Sequence, residues 1–141
     1  WVVNKRFFGC LSLTVFLCVG CAHQAHDGDT KSSEQIAVIN DSYTGSMRSD
    51  KAQILAVDGD NFGGSKPEQV EVLPGTHSVT IYCWHGYFDR DRHGLQGRVG
   101  SVEFDAQAGR EYKAFCSTSN GRYVRWIVDL STEEIVGGKS Q

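Results

Sequence analysis

The sequence predicts an all-β protein, a small single-domain β-sandwich, on three observations. Hydrophobicity alternates with a period of two over most of the chain after Glu34. Glycine-containing turn pairs separate the alternating runs. No segment there keeps a helical apolar period over about ten residues. A chain of 141 residues is most simply one domain, and roughly 100 ordered residues bury about 65% of their unfolded surface, enough for a core.

The opening is of another texture. Lys5 and Arg6 precede a charge-free apolar run of 14 residues, Phe7 to Gly20. A membrane-spanning helix needs about 20 residues, so the run suits the apolar region of a secretory signal better. The polar stretch "AHQAHDGDTKSSEQ" that follows Cys21 has no periodicity and reads as a flexible tether. The expected organisation is therefore a leader over residues 1–20, a tether over 21–33 and a sandwich over 34–138. The chain opens on Trp1, so its natural start is expected to lie elsewhere.

The strands follow in order. "QIAVIN" (Gln35 to Asn40), "AQILAV" (Ala52 to Val57) and "EQVEVL" (Glu68 to Leu73) come first. "VTIYCW" puts Val79, Ile81 and Cys83 on one face, and "VEFDA" puts Val102, Phe104 and Ala106 inward. "EYKAFCSTS" (Glu111 to Ser119) precedes "VRWIVDL", in which Val124, Trp126, Val128 and Leu130 share one face and Arg125 and Asp129 the other. Asp58-Gly59, Pro74-Gly75, Ala108-Gly109 and Asn120-Gly121 supply the turns, and Asn120-Gly121 is the strongest hairpin signal of the four.

Charge excludes one class of partner. The chain carries a net charge of -3, and without Lys5 and Arg6 the remainder carries -5, because all 17 acidic residues follow Cys21. That is no nucleic-acid-binding pattern. With the leader and Cys21 set aside, Cys83 and Cys116 remain as an even pair, both on apolar strand faces. A bridge across the core is one reading, and two buried free thiols the other.

The loop "CWHGYFDRDRHGLQGRVG" holds the candidate ligand-binding residues Trp84, His85, Tyr87, Phe88 and His93. Exposed aromatic rims stack on glycans or on protein partners, and Trp84 and Phe88 would serve equally to plug the end of a sandwich. His85, Asp89, Asp91 and His93 are metal-ligand types, but their spacing matches no strong zinc pattern, and Arg90 and Arg92 oppose a cation. "DGDNFG" (Asp58 to Gly63) lacks the ligands of a calcium loop, with Phe62 and Gln69 at ligand positions. His23 and His26 read as solvated tether residues. No phosphate loop and no Gly-x-Ser-x-Gly elbow is present, so no cofactor, no resident metal and no catalytic residues are expected.

Three resemblances add to this. "LCVGC" (Leu17 to Cys21) resembles the lipobox of bacterial lipoproteins, with Gly20 before the cysteine and Cys18 where the motif usually carries leucine. The resemblance implies cleavage before Cys21 and its acylation, palmitate included; an ordinary signal peptide or an uncleaved anchor helix are the other readings. Ala22 and His23, with no Asp beside the cysteine, imply sorting to the outer membrane, facing the periplasm. "VDGDNFGGSKPEQVEVLPGTHSVTIY" (Val57 to Tyr82) resembles the PEGA-type module. The later "FDAQAGREYKAF" and "RWIVDLSTEEIVGG", with Tyr43-Thr44-Gly45, look like a family of small Gram-negative lipoproteins of unknown function. These resemblances imply a PEGA-, transthyretin- or immunoglobulin-like sandwich. Its expected role is a non-catalytic binding or envelope-structural module, with an envelope protein or glycan as partner. The alternatives are a glycan- or peptidoglycan-binding module working through the Trp84–Phe88 loop, and a metal-handling protein working through His85 and His93.

Overall fold

The computed structural model describes residues 23–26, 31–42, 51–63, 67–84 and 97–138. These form ten strands and no helix: β1 (His23–Gln24), β2 (Ala37–Asn40), β3 (Lys51–Val57), β4 (Asp60–Asn61), β5 (Gln69–Val72), β6 (Gly75–Trp84), β7 (Gly97–Ala106), β8 (Glu111–Ser119), β9 (Arg122–Asp129) and β10 (Ile135–Gly138). They make two sheets, one of six strands in the order β1-β5-β2-β8-β9-β10 and one of four in the order β4-β3-β6-β7. The all-β expectation and the two layers are both met.

Local chemistry explains the turns. Asp58 and Gly59, joining β3 to β4, and Asn120 and Gly121, joining β8 to β9, all have positive φ, as a two-residue hairpin whose twist matches its strands requires. Between the layers, alternate residues from both inner faces meet. Val79, Ile81, Val102, Phe104 and Ile54 from one sheet pack against Ile39, Val70, Tyr112, Ala114 and Ile127 from the other. Phe104 and Tyr112 meet edge to face at 4.9 Å between ring centroids, and the Tyr112 hydroxyl accepts the Gln107 backbone N–H at 2.9 Å, so its polar tip is satisfied where its ring is buried.

Two expectations need correction. The first concerns β9. Its partners Tyr112, Ala114 and Cys116 on β8 are buried, and they stand opposite Asp129, Ile127 and Arg125. Residues directly opposite share a face, so Arg125, Ile127 and Asp129 turn inward. Val124, Trp126 and Val128 lie half-buried on the outer face, and Leu130 is exposed. Polar groups can occupy the inner positions because each is bonded. Asp129 Oδ1 accepts from the Ser131 N–H at 2.8 Å and from its hydroxyl at 2.5 Å, while Arg125 donates to the carbonyls of Ile81 and Arg98 on the facing sheet. Gly100 leaves the space for that guanidinium, since a Cβ there would stand 2.7 Å from an Arg125 nitrogen.

The second correction is to the tether. His23 and Gln24 pair in parallel with Val70 and Glu71, the Ala25 N–H reaches the Glu71 carbonyl at 2.9 Å, and the His23 ring meets Phe62 at 4.5 Å between centroids. The sandwich therefore includes His23 to Ala25, which cover the outer edge of β5.

Candidate functional site

Cys83 and Cys116 join the layers. They come from β6 and β8, one in each sheet, and form a disulfide with a Cα separation of 5.8 Å, well inside the reach of a bridge. Across the ladders, Arg98 stands opposite Cys83 and Arg125 opposite Cys116. The bridge thus lies beside two cations at one end of the molecule. Burial pulls the Arg125 pKa down from the usual arginine range, although a guanidinium stays charged at any ordinary pH.

Of the candidate ligand-binding residues, only Trp84 is among the described residues; His85, Tyr87, Phe88 and His93 lie outside them, as do Cys21 and Tyr43-Thr44-Gly45. Trp84 is half-buried at the end of β6, on the outer face of the four-stranded sheet. Its partner across the ladder is Lys51, whose ammonium lies 5.2 Å from the indole centroid, within cation–π range. Among the described residues no group of three or more His, Cys, Asp or Glu is placed to hold a metal ion. Asp58, from the stretch that invited a calcium reading, is engaged elsewhere. Its Oδ1 accepts the Ser78 N–H at 2.8 Å and its Oδ2 lies 2.6 Å from His77 Nδ1. The His77 Nε2–H donates to the Leu73 carbonyl at 2.6 Å. That chain of contacts ties the β3–β4 turn to the start of β6.

The outer face of the six-stranded sheet carries an arrangement that the sequence reading missed. Register places Gln69, Asn40, Lys113, Val128 and Ile135 in one row across five strands, and Phe115 beside Trp126 in an adjoining row. Phe115 and Trp126 are nearly parallel, 14° apart with centroids at 5.9 Å, and Lys113 Nζ lies 5.7 Å from the Phe115 centroid. Gln69 donates to the Asn40 side-chain oxygen at 2.8 Å, and Asn40 donates to the Tyr112 carbonyl at 3.1 Å. An open groove of about 330 Å³ runs along this polar part of the face, bordered by Asn40, Gln69, Glu68, Glu111 and Lys113. A stacked aromatic pair flanked by amides and charged tips can hold a ligand with one flat apolar side and a polar rim.

At the opposite end from the disulfide, Asp129 anchors the turn from β9 to β10. Burial works to raise its pKa, but the two hydrogen bonds from Ser131 and the Arg110 guanidinium 3.6 Å away outweigh it and hold the carboxyl below the usual carboxylate range. Asp58 behaves alike: burial raises it, and the Ser78 N–H and His77 lower it further. The sign follows. A carboxyl with a depressed folded-state pKa stabilises the fold at pH values above its unfolded pKa of about 3.9, and that contribution is lost as pH falls through the folded value. The urea midpoint is therefore expected to hold from pH 7 to about 5 and to fall steeply below about 4. Asp129→Asn should cost about 1–2 kcal/mol at neutral pH and flatten the acid limb. An acid limb unchanged in the variant would remove Asp129 from this account.

No family model, no curated protein and no solved structure matches the chain. The class defined here is accordingly one of architecture: an all-β, two-sheet domain with a disulfide between its layers.

Proposed function

We propose that the protein is a lipoprotein held at the periplasmic side of the outer membrane by an acylated Cys21, and that its PEGA-like sandwich is a non-catalytic binding or envelope-structural module. The observation that carries this reading is the Cys83–Cys116 disulfide. Structural disulfides form and persist in oxidising compartments, which is where the basic, apolar and small-residue order of residues 1–21 would send the chain. Several acyl chains hold a protein firmly where one holds it only marginally. Cys21→Ser is therefore expected to abolish palmitate labelling and to release the protein from the membrane fraction. A variant still labelled and still sedimenting with membranes would overturn the anchor.

For the binding role, the outer face of the six-stranded sheet favours a glycan, of peptidoglycan type or otherwise. The Phe115–Trp126 pair offers stacking area beside the Asn40–Gln69 amides. Trp126→Ala should cut retention on an immobilised envelope polysaccharide about tenfold or more, the loss of roughly 1.4 kcal/mol or more of contact. Equal retention of the variant and the parent would remove this face from the reading.

A further inference from the structure

We propose that the groove beside the Phe115–Trp126 pair takes a glycan carrying a primary ammonium group, borne by the sugar itself or by a peptide attached to it; this rests on the reading of that face as a glycan site. Two independent observations support it: the direction in which the amide network has to run, and where the charges bordering the groove stand.

The amides are oriented from inside the protein. A backbone carbonyl can only accept, so the Tyr112 carbonyl, 3.1 Å from Asn40 Nδ2, fixes the Asn40 amide with its nitrogen toward β8. Asn40 Oδ1 is thereby left as an acceptor, and Gln69 Nε2 donates to it at 2.8 Å. The orientation passes on to Gln69. Its nitrogen is turned to Asn40, and its Oε1 ends the relay with no partner among the described residues. Gln69 is exposed and borders the groove. What the relay offers there is an acceptor, and an acceptor calls for a donor on the ligand.

The charges ask for the same thing. Glu111 borders the groove at the Leu130 end, and Glu68, bonded through its carbonyl to the Asp41 N–H, borders it at the other, past the Asn40–Gln69 pair. Glu68 and Glu111 are exposed, and among the described residues neither carboxylate has a hydrogen bond or an ion pair. Lys113 is the cation bordering the groove. Glu111 and Phe115 flank it on one face of β8, and its Nζ lies 5.7 Å from the Phe115 centroid. It serves the ring, and the carboxylates keep their field. Three carboxylates against one ammonium repel an anionic glycan and favour a cationic one, since hydrogen bonds between charged partners are the stronger kind. Lys113 also decides where the ligand's charge goes. Its own charge beside Phe115 keeps a second cation off the rings, so the flat sugar face takes the rings and the ammonium takes the groove. From β8 to β5 is two strand spacings, about 9.5 Å, more than one sugar ring spans, so the ligand is at least a disaccharide or a sugar with a substituent.

The test measures retention of the full chain in detergent on chitosan beads and on insoluble peptidoglycan, each before and after its free amines are capped by N-acetylation. Capping leaves the sugar rings in place and removes the cation. Retention is expected to fall about fivefold to tenfold on capping, and by as much in the Glu68→Gln/Glu111→Gln double variant on the uncapped matrix, the worth of two exposed ion pairs. Glu103→Gln/Asp105→Asn makes the same change in net charge on the outer face of the four-stranded sheet and should be retained as the parent is. Retention on chitosan assigns the amine to the sugar, and amine-dependent retention on peptidoglycan alone assigns it to the attached peptide; both support the inference. Retention that is lost in Trp126→Ala but indifferent to capping overturns the ammonium and leaves the glycan. Equal losses in the two charge variants, both melting as the parent does, overturn the groove as its seat. A parent retained on none of the four matrices overturns the glycan reading and the inference with it.

Discussion

Reduction of the Cys83–Cys116 bond is expected to lower the melting temperature by about 10–20 °C. The two cysteines are 33 positions apart, and closing a loop of that length removes about 3.5–4 kcal/mol of chain entropy from the unfolded state in the loop-entropy description. For a domain of about 100 residues each kcal/mol moves the melting temperature by several degrees. The measurement is a pair of thermal melts with and without reductant, with mass spectrometry of alkylated, unreduced protein as the check on pairing. Two freely alkylated thiols, or superimposable melts, would reject the bridge as a stabilising element.

The second large effect is expected at Gly137. β10 pairs with β9 at one edge of the six-stranded sheet, yet its middle also lies against β7 of the other sheet. A Cβ at Gly137 would sit 2.6 Å from the Glu103 carbonyl oxygen and 2.7 Å from the Phe104 Cβ. Backbone and a core side chain must give way before any larger residue fits there. Gly137→Val should therefore cost about 3 kcal/mol, at the upper end of what overpacking costs, by prising β10 off β7 and opening that side of the sandwich. Amide exchange should show early loss of protection in residues 135–138, followed by the facing part of β7. A variant that melts with the parent and keeps those amides protected would show that β10 closes nothing.

Much of this fold was legible because a period of two and a few turn pairs carry it. The inner faces of β6 and β7 followed from alternation alone, while for Cys83 and Cys116 alternation gave only their apolar faces and left the bridge open beside two buried thiols. The inverted reading of β9 shows where alternation misleads. "VRWIVDL" has its larger apolar residues at one parity, and transfer energy alone would bury them. The missing step was available in the sequence. A two-residue Asn120-Gly121 hairpin sets Ser119 opposite Arg122, and that register places Arg125, Ile127 and Asp129 opposite Cys116, Ala114 and Tyr112. Hairpin register fixes the face, and the polar residues on it then find partners in Ser131 and the Ile81 carbonyl. β1 left no comparable trace, because two polar residues joining an edge by backbone bonds have no apolar signature. β10 was obscured by its two glycines, which weaken strand propensity and mark instead a close approach of backbones. As for the site, alternation groups Trp126 with the apolar face of β9 without saying that this face looks outward, so the aromatic platform on the outer sheet has no signal in the sequence.

The placement of β2 between β5 and β8 has a consequence for how the molecule is made. Val38 pairs with Glu71 on one side and with Glu111 on the other, so the centre of the larger sheet is assembled from the beginning and the end of the chain. The β6–β7 and β8–β9 pairs can zip from nearby turns and β2 can meet β5 about 30 residues on, whereas its other edge waits for β8, more than half the chain away. Closing so long a loop before it is rewarded by contacts slows folding. A chain made from its N-terminus would present "IAVIN" with only its β5 edge paired until β8 arrives from the last third, and such an open, apolar edge is the kind that aggregates or recruits a chaperone. Residues that stabilise the finished sheet are thus also the ones most exposed to mishap before it exists.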